Sequence, residues 1–207
     1  KARIYYHLRG LGMHPVFEKN IFVVKEHVGM FKAANNYDIF DPETGAKILE
    51  CREPNLGFFT KILRFTDYKR MTPFEVVIST PDGKKLLTIK RGISIILSHV
   101  DVLDERNRSI GGFNQKLLSI GGKFDIVSAG GNYLAQLKGN LIGWNFKFYK
   151  NEKQIAEVSK KWAGIGKELF TSADNYVLSI DNSVEKEDPL RPLLFAAVMC
   201  IDMCLKE

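Results

Sequence analysis

Residues 189–205 constrain the fold of this chain more than any other stretch; they read P-L-R-P-L-L-F-A-A-V-M-C-I-D-M-C-L. Every residue from 193 to 201 is apolar. Leu194, Phe195, Val198, Ile201 and Leu205 recur at helical spacing, while Leu193, Ala197 and Cys200 put apolar groups on the other faces. A helix that is apolar all round needs an apolar surround, either protein or lipid. Crossing lipid takes about 20 apolar residues. This run is shorter, Asp202 interrupts it, and Lys206 and Glu207 close it. Protein is therefore expected around it, with Leu194, Phe195, Val198, Ile201 and Leu205 as the residues of a core helix. Pro189 or Pro192 suits the first helical turn, where a missing N–H costs nothing.

The preceding chain reads as short strands separated by turn-forming clusters. The expected strands are 21–25, 36–40, 46–51, 74–80, 84–91, 93–103, 109–118, 124–128, 133–138, 144–149, 154–161 and 174–180. Pro81-Asp82-Gly83 and Asp41-Pro42-Glu43-Thr44-Gly45 carry the strongest turn chemistry. Trp144, Phe146 and Phe148 alternate with Asn145, Lys147 and Tyr149, the mark of a strand with one buried and one wet face. Gly111-Gly112 and Gly121-Gly122 read as bulges or tight bends. Residues 56–65 are the exception and fit a short amphipathic helix or a packed loop. Residues 1–20 have no clear period and are expected to be a loose leader before a single domain, 21–207.

A meander of about twelve strands must manage its edges, and closure does so. A barrel that wide cannot be filled by its own side chains. The apolar C-terminal run would fill it. The expected fold is mainly β, a closed antiparallel barrel of about twelve strands around a buried hydrophobic C-terminal α-helix.

Function has fewer signals. The sequence has no HExxH, no G-x-S-x-G and no P-loop. His7, His14, His27 and His99 are scattered, and His99, among Leu97, Val100 and Val102, is expected to be partly buried rather than a base. No enzyme is expected. Cys51, Cys200 and Cys204 are an odd set without CxxC, which suits reduced thiols in a cytoplasmic protein. No signal peptide is expected, because residues 1–20 lack an apolar core. The net charge of +6 favours anionic partners, phospholipid headgroups or nucleic acid. Lys61, Arg64, Lys69, Arg70, Lys84, Lys85, Lys90 and Arg91 concentrate in one stretch.

From 155 to 176 the chain resembles the scramblase pattern V-G-x-I-S-K-x-W followed by E-x-F-T-D-A-D-N-F. Ala196-Ala197-Val198-Met199-Cys200-Ile201-Asp202 is similar to the closing A-C-F-L-I-D helix of that family. Gly121-Gly122-Lys123-Phe124-Asp125-Ile126 and Gly143-Trp144-Asn145-Phe146-Lys147-Phe148 are similar to the LURP-one-related proteins. The resemblance covers most of 21–207. It implies the Tubby-like fold, twelve strands around a buried helix, in agreement with the count above. In such domains a basic pocket on adjacent strands holds a phosphoinositide headgroup. By strand order, Lys69, Arg70, Lys84, Lys85, Lys90 and Arg91 are the matching lipid-headgroup residues.

The departures bear on function. The family's proline-rich N-terminal arm has no counterpart in this sequence. Its cysteine-rich palmitoylated stretch falls at 91–98, which contains no cysteine. Its calcium segment begins T-D-A-D, and here Thr171-Ser172-Ala173-Asp174 replaces the first acid with serine. Asp174 and Asp181 remain as the calcium candidates; calcium wants six to eight oxygens, and no cofactor is expected. The expectation is a non-enzymatic, cytoplasmic domain that binds anionic phospholipid or phosphoinositide, peripheral at the membrane surface. The alternatives are a scramblase with the C-terminal helix in the membrane, a nucleic-acid-binding regulator, and a structural scaffold with no ligand; a protein partner stands beside phospholipid among the expected partners.

Overall fold

The structure is a computed structural model that describes residues 13–27, 36–54, 72–93, 99–116, 123–140, 144–160 and 175–205. The two-residue period of the runs between residues 21 and 180 builds twelve strands. They are β1 (Ile21–Glu26), β2 (Tyr37–Phe40), β3 (Lys47–Arg52), β4 (Phe74–Ser79), β5 (Lys85–Arg91), β6 (His99–Asp104), β7 (Ser109–Gln115), β8 (Lys123–Ser128), β9 (Tyr133–Asn140), β10 (Asn145–Lys150), β11 (Lys153–Ser159) and β12 (Asn175–Ile180). Each pairs antiparallel with the next, and β1 closes the barrel against β12 with Val23 opposite Val177 and Val24 opposite Tyr176. Closure gives each of these strands a partner on both sides.

Local chemistry sets the turns. Between β10 and β11, Asn151 and Glu152 both take left-handed backbone, φ 50° and 63°. That pair makes a two-residue turn whose twist matches the flanking strands. Between β4 and β5, Gly83 sits at φ 89° and Thr80 N donates to Lys84 O at 3.0 Å. Between β6 and β7, Asp104 Oδ1 accepts from the backbone N–H of Arg106 and of Arg108, both at 2.9 Å.

The helix α1 (Leu190–Leu205) fills the barrel. Asp188 Oδ1 caps it by accepting from Leu190 N at 2.9 Å. At 16 residues it is about 24 Å long. From Leu193 to Ile201 every side chain is 3% exposed or less, on all faces. Phe195 meets Phe17 and Phe22 edge-on, with ring centroids 5.7 and 5.2 Å apart. Inward residues of the wall, among them Val76, Ile78, Ile89, Phe146 and Phe148, complete the core. The wall also makes room: Gly111 sits at φ 149° beside a bulge between β6 and β7, and a Cβ there would fall 2.3 Å from Val127 O and 3.0 Å from Leu193 Cδ1.

A buried arginine stands at each end of α1. At the start, Arg191 donates through Nη1 to Asn20 Oδ1 and through Nη2 to Glu18 O, both at 3.2 Å. Burial lowers its pKa. At the end, Arg91 of β5 donates to Thr72 O at 2.6 Å and lies 3.3 Å from Cys204 Sγ.

Several expectations need correction. The leader is not loose throughout: Pro15–Glu18 forms a 3-10 turn whose Val16 and Phe17 are buried in the core. Residues 1–12 lie outside the described residues. Of the expected strand 93–103, residues 99–103 lie in β6, Ile93 is 77% exposed, and 94–98 lie outside the described residues. The seventh strand ends at Gln115 rather than 118. His99 is exposed, not partly buried, because its side chain takes the outward face between Asn114 and Asp101. Residues 56–65 and Gly121-Gly122 lie outside the described residues, as do the side chains of Asp202 and Leu205.

Candidate anion-facing surfaces

The alternation of β5 sends its basic residues in different directions. Leu87, Ile89 and Arg91 face inward, and all three are buried. The Arg91 guanidinium lies over the Phe74 ring, 4.8 Å from its centroid. A residue 4% exposed and aimed at the helix end cannot meet a membrane headgroup. Lys90 faces outward, where Glu75 Oε2 lies 3.0 Å from its Nζ. Lys85 begins the strand and donates from Nζ to Asn107 Oδ1 at 2.7 Å. Lys84 is exposed in the turn. Six residues of extended chain separate Lys85 from Arg91 by about 20 Å. The four described members of the expected headgroup site therefore do not converge. Lys69 and Arg70 lie outside the described residues.

Asp181 follows β12 and accepts from Ser183 N at 2.8 Å. Hydrogen bonds from Ser183, side chain then backbone, hold its carboxyl below the usual range. The carboxylate thus shapes a turn, and Val184 N closes that turn on Asp181 O at 3.0 Å. Asp174 lies outside the described residues. Among the described residues no group of three or more His, Cys, Asp and Glu is placed to hold a metal ion.

A second basic surface was not foreseen from the sequence. On the outer wall, Lys138 of β9 stands directly opposite Lys123 of β8 and directly opposite Lys147 of β10. Lys116 continues the row, its backbone N–H donating to Lys123 O at 2.9 Å. Its Nζ pairs with Asp125 Oδ2 at 2.6 Å, and this contact raises its pKa. Lys138 Nζ sits over the Tyr149 ring at 5.1 Å. The signal was present in part: Phe124, Leu137 and Phe146 face inward, so their neighbours Lys123, Lys138 and Lys147 must face outward. Their alignment into one row could not be read without the register.

The family-like motif residues have structural uses. Lys160, the lysine of S-K-x-W, lies over Trp144 at 4.8 Å and over Tyr176 at 5.4 Å. Trp144 stacks on Tyr176 with centroids 4.7 Å apart and holds a left-handed φ of 45° to do so. The Tyr176 hydroxyl donates to Glu26 Oε2 at 3.4 Å. This cluster ties β11, β12 and β1 together beside the closing seam.

A family model, Scramblase, matches residues 18–206. The chain belongs to the Scramblase family. A curated relative from Saccharomyces cerevisiae, Altered inheritance rate of mitochondria protein 25, is 23% identical over 192 residues. The match covers 81% of this chain and 58% of the yeast protein, so the chain spans a little over half the length of that relative. A solved X-ray structure of an Arabidopsis thaliana protein superposes with a TM-score of 0.52 at 14% identity, covering 93% of this chain and 97% of that one. This likeness shows the fold alone. No described helix is long and apolar enough to cross a membrane.

Proposed function

We propose that this scramblase-family barrel binds anionic phospholipid at a membrane surface, without enzymatic chemistry. The observation that carries the reading is that the described side chains of the apolar helix from Leu193 to Ile201 are buried inside the barrel on all faces while the chain keeps a net charge of +6. A helix buried on all its described faces does not offer them to lipid, so the reading assigns attraction to a bilayer to surface cations. Each lysine or arginine near an anionic leaflet contributes about 1 kcal/mol, and the attraction fades within a Debye length.

Flotation with vesicles tests this. The protein is expected to rise with phosphatidylserine-containing vesicles at low salt, to be released as salt increases, and to stay down with neutral phosphatidylcholine vesicles. Equal behaviour with both vesicle types would sink the reading.

A further inference from the structure

Directly opposed residues of neighbouring strands share one face of the sheet, and like charges placed there repel. The outer wall of β7–β10 nevertheless holds Lys116, Lys123, Lys138 and Lys147 side by side. At a strand spacing of about 4.8 Å, four such positions make a line about 14 Å long. Two carboxylates stand beside the four ammonium groups and offset part of this charge. Asp125 is shared between Lys116, at 2.6 Å, and Gln136 Nε2, at 3.0 Å. Glu157, opposite Lys147, accepts instead from Asn145 Nδ2 at 3.0 Å and Gln154 Nε2 at 3.2 Å. Tyr149 adds an aromatic ring under Lys138, apolar in body and polar at its tip.

Resting on the lipid reading above, we propose that this row is the strip on which the barrel docks. It recognises the phosphate plane of an anionic phospholipid surface rather than a single headgroup. The row lies on a convex wall and is too long for one phosphate, so charge complementarity favours an extended array. Docking by the wall lays the barrel axis, and α1 within it, along the membrane.

The test compares two variants with the parent protein on phosphatidylserine/phosphatidylcholine vesicles. One is Lys123→Gln/Lys138→Gln/Lys147→Gln, and the other is Lys84→Gln/Lys85→Gln/Lys90→Gln. Each lysine of the strip is worth about fivefold, so the first variant is expected to bind roughly 100-fold more weakly. The second is expected to stay within a few-fold of the parent. Thermal melting guards against misfolding, and the row variant is expected to melt within a few degrees of the parent, since relieved repulsion offsets the lost contact of Lys138 with Tyr149. Undiminished binding by a folded row variant overturns the strip while the lipid reading stands. Failure of the parent itself to bind sinks both. Displacement by equimolar soluble inositol trisphosphate would reveal a headgroup pocket and overturn the array. Tighter binding to a short DNA duplex than to the vesicles would overturn lipid as the occupant.

Discussion

Arg91 Nη1 reaches Cys204 Sγ at 3.3 Å across 113 residues of sequence, so the fifth strand holds the last turn of the buried helix. A guanidinium suits a helix C-terminus, where carbonyl groups leave partial negative charge.

Arg91→Ala is therefore expected to destabilise the protein by about 3 kcal/mol, since it removes the buried hydrogen bond to the Thr72 carbonyl and the contact with Phe74. Urea denaturation measures it. Vesicle binding by the folded fraction is expected to be unchanged. Normal stability with lost vesicle binding would restore Arg91 as a headgroup residue.

Gly111→Ala is expected to cost about 3 kcal/mol, because its Cβ would strike Val127 O and press on Leu193. Gly83→Ala is the matched control. Gly83 also has positive φ, 89°, but no atom within 4 Å of a Cβ, so only backbone strain of about 1 kcal/mol is expected. Equal losses in thermal melts would show that the helix does not press on Gly111.

The three thiols report on the plug. Cys51, Cys200 and Cys204 are buried thiols outside any disulfide, and burial raises the Cys51 and Cys200 pKa values, which suppresses the reactive thiolate. Iodoacetamide followed by mass spectrometry is expected to find all three protected in the native protein without lipid and all three modified in urea. Rapid native labelling of Cys200 would mean that α1 leaves the barrel.

Acid is expected to weaken the fold through Asp38 and Asp41. Burial raises the Asp38 pKa, but bonds from Arg52 and His27 outweigh it and leave the pKa lowered. Asp41 is lowered in the same way, burial being outweighed by Lys19, the Glu43 backbone and Thr44. Folded values below the unfolded 3.8 mean that the unfolded chain binds more protons in acid. The stabilisation is thus present above that pH and lost as pH falls through the folded values. Asp41→Asn is expected to cost about 1–2 kcal/mol at neutral pH and to flatten the acid limb of a stability–pH curve. An unchanged limb would refute the assignment.

The sequence by itself determined the elements. Period, turn residues and an all-round apolar terminus are local properties, so twelve strands, their antiparallel order and the helix that fills them were all legible. The packing of Val16 and Phe17 was not, because it depends on what lies across the barrel. Function was less legible for the same reason. The basic stretch around Lys84–Arg91 looked like one site because its residues are near in sequence, yet strand alternation turns Arg91 inward and the length of β5 separates it from Lys85. The row from Lys116 to Lys147 draws on β8, β9, β10 and the residue that follows β7, and only the register of β7–β10 sets its members side by side. A register is a tertiary quantity: a shift of one residue would turn a strand's outward lysine into the core.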